Sequence, residues 1–278
     1  NRIWIRYTIM RLQLHTLRFL STLSRKRNMT LSLLIILLIS CDSENATDCL
    51  QTDGTIITYD LEVPPFTKIQ MEDDIRVVLK QGPMQEVIIE TGENLVSDLS
   101  FQVLEETIVL QNNNGCNILR DYGRTLVTIT SPNINFIRQA SSFDLESEGV
   151  LTYPALTLWS NTSPNGINID DPNKSGNVIL NIDVPLLTIS ANGSSNFKIA
   201  GRADQMNINF SDEFPQFDGR DFLVDDIQFT HTSAATMVFN PITSLKGTIR
   251  ATGDVIVVRE PPVVDVEVLF TGQLIFED

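Results

Sequence analysis

From residue 55 onward the chain alternates short apolar and polar runs with clusters of turn residues, and helical periodicity is almost absent. Ile56-Ile-Thr-Tyr59, Ile75-Arg-Val-Val-Leu79, Val87-Ile-Ile-Glu90, Thr107-Ile-Val-Leu110 and Leu126-Val-Thr-Ile129 each read as a strand. Gly, Asn, Asp, Ser and Pro separate them, which is the chemistry of tight turns. The pattern predicts an all-β chain.

The second half carries a repeat. One track of apolar pairs runs Leu187/Ile189, Met206/Ile208, Ile227/Phe229, Gly247/Ile249 and Val266/Val268, its second members 19, 21, 20 and 19 residues apart. A second track lies between them: Phe197/Ile199, Phe217, Met237/Phe239, Ile256/Val258 and Leu274/Phe276. Looser copies precede these, Leu126–Ile129 with Phe143/Leu145 and Leu156/Leu158 with Ile167/Ile169. A copy of about 20 residues supplies two strands and two turns and cannot bury its apolar face alone. Stacked copies make a continuous core, so the expected architecture is a parallel β-solenoid with about 20-residue coils. A β-sandwich is the rival, but sandwiches lack a sustained repeat with equivalent turns. Residues from about 49 to 115 are expected to form the first coils or an N-terminal cap. The last run, Leu269–Phe276, leaves a C-terminal edge with little cap, suited to contact with a second copy.

The chain before residue 55 has a different pattern. Arg25-Lys26-Arg27 precedes the apolar run Leu31–Ile39, which is followed by Ser40 and Cys41. The run is shorter than the ~20 residues that span a bilayer as a helix, but it fits the apolar core of an export signal. Leu38-Ile39-Ser40-Cys41 resembles the lipobox of bacterial lipoproteins, in which the cysteine thiol takes the lipid. Residues 1–40 are therefore expected to be a lipoprotein signal peptide with an upstream extension, translation starting at Met10 or further upstream. Residues 41–54 are expected to be a lipidated polar tether, and 55–278 the solenoid domain. The lipid anchor makes the membrane a partner and places the protein in the cell envelope, at the outer membrane, with the leaflet left open.

Composition sharpens this division. Seven of the 20 Lys and Arg lie before Cys41 and no Asp or Glu does, so the remainder holds 13 basic against 35 acidic residues, a net charge of −22. Such a body repels nucleic acid, which is excluded as a partner. The other two cysteines, Cys49 and Cys116, are candidates for a disulfide in an exported protein, with two separate thiols as the alternative.

Several residues resemble a known family. Phe66-Thr-Lys-Ile69, Gln81-Gly82 and Val87–Leu95 are similar to the opening of the head GIN domain, also called the auto-transporter adhesin head domain, a domain of unknown function common in Bacteroidota. The later Leu187-Thr-Ile189 to Phe197-Lys-Ile199 unit resembles its repeat, and the similarity covers roughly residues 57–276. The resemblance implies a right-handed parallel β-helix like that of pectin lyases but without their catalytic residues, and an adhesion role. The sequence departs from the family's Gly-Ser-Gly turns: only Gly193-Ser194-Ser195 and Gly253-Asp254 come close, and elsewhere the turn carries Ser141-Ser142, Asp212-Glu213 or Ser233-Ala234.

Catalytic chemistry finds little support. After Cys41 the only histidine is His231, at a strand end or turn, where a polar side chain on a solenoid rim is expected to be solvated. One histidine excludes a multi-His zinc site within one chain, and no phosphate-cradling Gly loop opens a helix. No cofactor or metal is expected. Carboxylates cluster at Asp170-Asp171, Asp212-Glu213, Asp218, Asp221 and Asp225-Asp226; such residues would serve a β-helix polysaccharide lyase or hydrolase, or simply form a solvated acidic rim. Among Tyr153, Trp159, Phe214, Phe217, Phe222 and Phe229, alternation assigns most to the core and leaves Trp159 as the exposed candidate. Trp159, Asp212 and Glu213 are thus the candidate ligand contacts. The favoured reading is a non-catalytic binding or adhesion module for a glycan or a cell-surface protein, with the lyase or hydrolase as the alternative.

Overall fold

The structure is a computed structural model that describes residues 51–114, 116, 118, 121–160 and 175–277. The expected leader, Cys41, Cys49 and Asp170-Asp171 lie outside the described residues. Seventeen strands of the described chain join one curled, mixed sheet. In chain order they are β1 (Ile56–Asp60), β2 (Lys68–Asp73), β3 (Ile75–Gln81), β4 (Glu86–Gly92), β5 (Leu99–Leu104), β6 (Thr107–Asn112), β7 (Thr125–Ser131), β8 (Phe136–Ser141) and β9 (Leu145–Leu151). There follow β10 (Leu156–Ser160), β11 (Val178–Gly193), β12 (Asn196–Glu213), β13 (Gln216–His231), β14 (Met237–Ile249), β15 (Val255–Val257), β16 (Val263–Val268) and β17 (Leu274–Phe276). Among the described residues a 3-10 turn, Glu93–Asp98, precedes β5.

Alternation in sequence becomes two opposed tracks of parallel ladders. In the first track the inward column runs Ile108, Ile69, Ile137, Leu158, Ile189, Ile208, Phe229, Gly247, Val266. In the second it runs Val127, Val77, Leu145, Val178, Phe197, Phe217, Met237, Val255, Leu274. The strands are buried on this inner side because the two tracks face each other, and alternate residues point to solvent. Phenylalanines fill the space between them: Phe217 and Phe229 each pack a ring against Phe239, with centroids 5.5 and 5.4 Å apart.

The N-terminal tiers depart from an all-parallel stack. β2 lies between β6 and β8, and β3 between β7 and β9, so the first tier in sequence is the second in space. The ladders β1–β4, β4–β7 and β5–β6 are antiparallel. They close the N-terminal end and bury Val87 and Ile89 against the stack.

Two registers differ from the sequence reading. Phe229 sits opposite Gly247, not Ile249, so the steps along Leu187, Met206, Ile227, Leu245 and Val264 are 19, 21, 18 and 19 residues. The step shortens at the register shift between Asp218 and Leu223, and a second shift between Val224 and Asp226 restores one residue. In the second track Val255 and Val257 face inward, fully buried, rather than Ile256 and Val258. The run Val255-Ile-Val-Val258 is apolar at every position, so its inward parity is set by the ladder and not by its own pattern.

One corner between the tracks is built from small hydroxyl residues. Ser233 Oγ donates to the Pro215 carbonyl (2.9 Å) and accepts the Ala235 N–H (3.0 Å). Ser141 Oγ repeats the device, donating to the carbonyl of Ile75 (2.8 Å) and accepting the Phe143 N–H (3.0 Å). Ser160 and Ser195 share a buried hydroxyl–hydroxyl bond of 2.6 Å. The Ser233 and Ser141 hydroxyls satisfy backbone groups that the turn removes from the ladders.

Candidate binding surface

The outward side of the first track is a regular surface that runs across the tiers. Leu187, Ile189, Met206, Ile208, Phe210, Ile227 and Phe229 point inward, so their neighbours Thr188, Ser190, Gln205, Asn207, Asn209, Ser211, Gln228 and Thr230 point out. Parallel pairing brings them into columns: Thr157, Thr188, Asn207 and Gln228 in one, Trp159, Ser190, Asn209 and Thr230 in the next. None of these carries a charge. Asn207, Asn209 and Gln228 are exposed, and no hydrogen bond among the described residues uses their side-chain amides. Lys246 and Thr248 continue the columns in the next tier, and Asp265 and Glu267 close them.

Trp159 stands at the N-terminal end of this surface. It is half-buried rather than exposed, because its ring meets the edge of Phe136 at 5.3 Å between centroids and an interplanar angle of 73°. Beside it in register is Arg138, which is 1% exposed. Sequence reading missed this buried arginine. Across the ladder it faces Gln70 on β2, and Glu72, two residues further along β2, faces Ala140. Glu72 accepts hydrogen bonds from Gln70 Nε2 and from Gln111 Nε2 (2.7 Å). Burial raises the Glu72 carboxyl above its ordinary range, against the lowering effect of these two amides and of Arg138. Burial likewise lowers the Arg138 guanidinium, partly offset by the charge on Glu72. A basic residue in a strand gives no sign of burial in sequence; its place between Gln70 and Trp159 on the neighbouring strands appears only once the ladders are paired.

Asp212 and Glu213 do not join Trp159. They end β12 at the corner, exposed, with Glu213 in the left-handed region (φ 59°) and its N–H bonded to Asp212 Oδ1 at 2.8 Å. Asp212 pairs with Asn192, two tiers and several residues along from Trp159. Phe214 beside them is 61% exposed, whereas Tyr153, Phe217, Phe222 and Phe229 belong to the core.

The other acids are dispersed. Asp225 holds Arg202 in a two-pronged pair, both oxygens at 2.9 Å. Asp226 accepts from the Ser244 hydroxyl, and Asp218 from the Arg220 N–H at 3.2 Å. Among the described residues no group of three or more His, Cys, Asp or Glu is arranged to hold a metal ion. In a cleft lined by Asp74, Asn112, Asp121, Tyr122 and Arg124, Arg124 reaches Asp53 at 2.7 Å and Asp121 at 3.2 Å, and Asp74 accepts from the Ser142 hydroxyl.

His231 corrects the expectation of a solvated rim histidine. It ends β13 fully buried, in the inward column between Phe210 and Ile249, with the Phe210 ring centroid 6.5 Å away. The strand continues one residue further inward than the turn pattern indicates. Burial lowers its pKa below the usual histidine value; the nearby backbone of Ala235 and Gly253 and the charge of Asp254 oppose that shift. Cys116 is disulfide-bonded, and its partner lies outside the described residues. Among the described residues no helix is long and apolar enough to cross a membrane.

The chain belongs to the family described as "Putative auto-transporter adhesin, head GIN domain", whose model matches residues 65–261. It is similar in fold to a crystal structure described as a putative adhesin from Bacteroides fragilis, with a TM-score of 0.70 and 18% identity over 80% of this chain and 97% of that one. A putative adhesin from Parabacteroides distasonis gives a TM-score of 0.58 at 13% identity, covering 81% and 98%. A structure from the same organism described as a putative lipid binding protein gives 0.56 at 12%, covering 81% and 98%. Comparison with curated proteins matches none. Family membership supports a binding or adhesion module at the cell surface or envelope, and its adhesin names suggest a protein that is not an enzyme.

Proposed function

We propose that the protein is a lipid-anchored, non-catalytic adhesion module of the cell envelope, held at the outer membrane by Cys41 and presenting the stacked tiers to a glycan or cell-surface protein. The observation that carries this reading is the family match across the tiers, 65–261. The leader Arg25–Ser40 supports the anchor, since a basic cluster, a short apolar run and a small residue precede Cys41. The reading takes the stack as a right-handed parallel β-helix, supported by parallel ladders at steps of 18 to 21 residues. It pairs Cys116 with Cys49, tying the tether to the first tiers. It also offers the C-terminal edge to a second copy, since Val264, Val268 and Phe270 are exposed there.

The test is made on cells producing the full chain. Wild type is expected in the membrane fraction and Cys41→Ser in the soluble one. Cells carrying wild type should adhere to a glycan- or protein-coated surface more than cells lacking it. A Cys41→Ser protein that stays with the membrane would sink the anchor, and adherence to no glycan, protein or cell surface would sink the module.

A further inference from the structure

We propose that the outward face of the first track binds an uncharged polysaccharide, lying across the tiers from Trp159 toward Thr248. The inference deepens the adhesion reading and rests on it.

The argument starts from charge. The chain after Cys41 carries a net −22, yet the strip of Thr157, Thr188, Ser190, Asn207, Asn209, Gln228 and Thr230 is free of charge over four successive tiers. Acids lie along its flanks and past its far end, Asp226 beside Gln205, Asp212 past Ser211, and Asp265 and Glu267 beyond Lys246 and Thr248, while Arg138 and Lys246 are its in-register neighbours at the two ends. A face left neutral on so acidic a body is matched to a neutral ligand, and its flanking acids disfavour polyanions.

The chemistry of the strip narrows the class further. Hydroxyls and amides both donate and accept, the capacity that a polyhydroxyl chain presents in return. The face lacks the apolar centre on which protein interfaces rely for affinity. Trp159, steadied edge-on by Phe136, adds an aromatic group at one end.

Geometry sets the size of the ligand. Adjacent strands lie ~4.8 Å apart, so the columns from Trp159 to Thr248 extend roughly 19 Å. That accommodates several sugar residues in a row rather than one. Because each side chain is mounted on a hydrogen-bonded ladder, little backbone ordering is required on binding.

The experiment is affinity electrophoresis of the full chain in gels containing dextran, mannan, xylan or anionic polygalacturonate, with capture on protein-coated surfaces alongside. At least one neutral polymer is expected to retard wild type. Asn209→Asp at an exposed position and Thr230→Asp at a half-buried one, both within the strip, should weaken retardation at least about tenfold, and Trp159→Ala should weaken it too. Lys198→Ala, on the second track, should leave it unchanged, and thermal melts verify that each variant is folded. Neutral-polymer retardation untouched by the strip variants would overturn this face as the site while leaving the adhesion module standing. Capture by polygalacturonate or protein but no neutral polymer would overturn the ligand class and spare the module. Binding to nothing would overturn both.

Discussion

Phe229 lies directly opposite Gly247 in neighbouring strands of the first track, and its ring occupies the space that a side chain at 247 would need. A β-carbon there would come 2.6 Å from the ring Cδ1 and would collide with the Phe229 carbonyl oxygen. Gly247→Ala is therefore expected to destabilise the fold by about 1–3 kcal/mol. The Phe229→Ala change removes a buried ring and should cost about 3–5 kcal/mol. Since the carbonyl collision survives loss of the ring, Phe229→Ala should not rescue Gly247→Ala. Denaturant melts of the two single variants and the double test this; full rescue would refute the backbone contact.

This pair also marks how far the sequence reaches. Alternation around Leu187, Met206 and Ile227 identifies the inward residues and the repeat, because polar neighbours separate them. It fails where polarity stops varying: Val255-Ile-Val-Val258 has no intrinsic parity, and Gly247 is too small to announce its place beneath Phe229. The insertion of β2 between β6 and β8 is invisible, since Lys68–Asp73 pairs with residues about 40 and 70 positions away. The neutral strip was written in the outward positions of the same repeat. Asn, Thr and Gln at alternating sites carry no signal until the ladders bring them into one face.

His231 predicts an acid-sensitive fold. The native imidazole has a pKa below the unfolded value of about 6.5. Below that value the unfolded chain binds the proton more readily than the native one, so stability falls as pH drops from about 6.5 until the native histidine also protonates. Between pH 6.5 and 5 this costs at most about 2 kcal/mol. A His231→Leu variant should lose that part of the pH dependence, Asp254 and the other acids being retained. Urea melts across this range check it; an unchanged slope would show that His231 is not the titrating group.

Glu72 and Arg138 should behave as a coupled pair. Removing either charge leaves the other buried without the opposite charge that favours it. Arg138→Met and Glu72→Gln are each expected to destabilise, and the double variant to lose less than the two losses added. Thermal melts through a double-mutant cycle measure the coupling. Strict additivity would show that Gln70 and Gln111 carry Glu72 without help from Arg138.

Ser233→Ala should cost about 1–3 kcal/mol, because the hydroxyl serves the Pro215 carbonyl and the Ala235 N–H at a buried corner. Ser142→Ala, at the neighbouring position of the equivalent turn, removes a bond from its hydroxyl to the Asp74 carboxylate at a part-buried site. It should cost less. Equal losses in calorimetry would mean that the corner hydroxyl is not special.

The inward column that holds His231 ends at Ile249 and Val268, and the two differ only in what lies above them. Ile249 is 0% exposed beneath β16, whereas Val268 on β16 is 46% exposed, with no further tier among the described residues. An unpaired charge at Ile249 would have to be desolvated, so Ile249→Lys should destabilise by more than about 4 kcal/mol. At Val268 the Lys ammonium reaches water while its stem covers the column, and the change should stay within about 0.5 kcal/mol. If a second copy packs on this edge, Val268→Lys should lower the sedimentation mass while leaving the melting of the single chain unchanged. A large stability loss for Val268→Lys at concentrations where only single chains exist would show that the edge is closed from within the chain, and the edge would then be unavailable to a second copy.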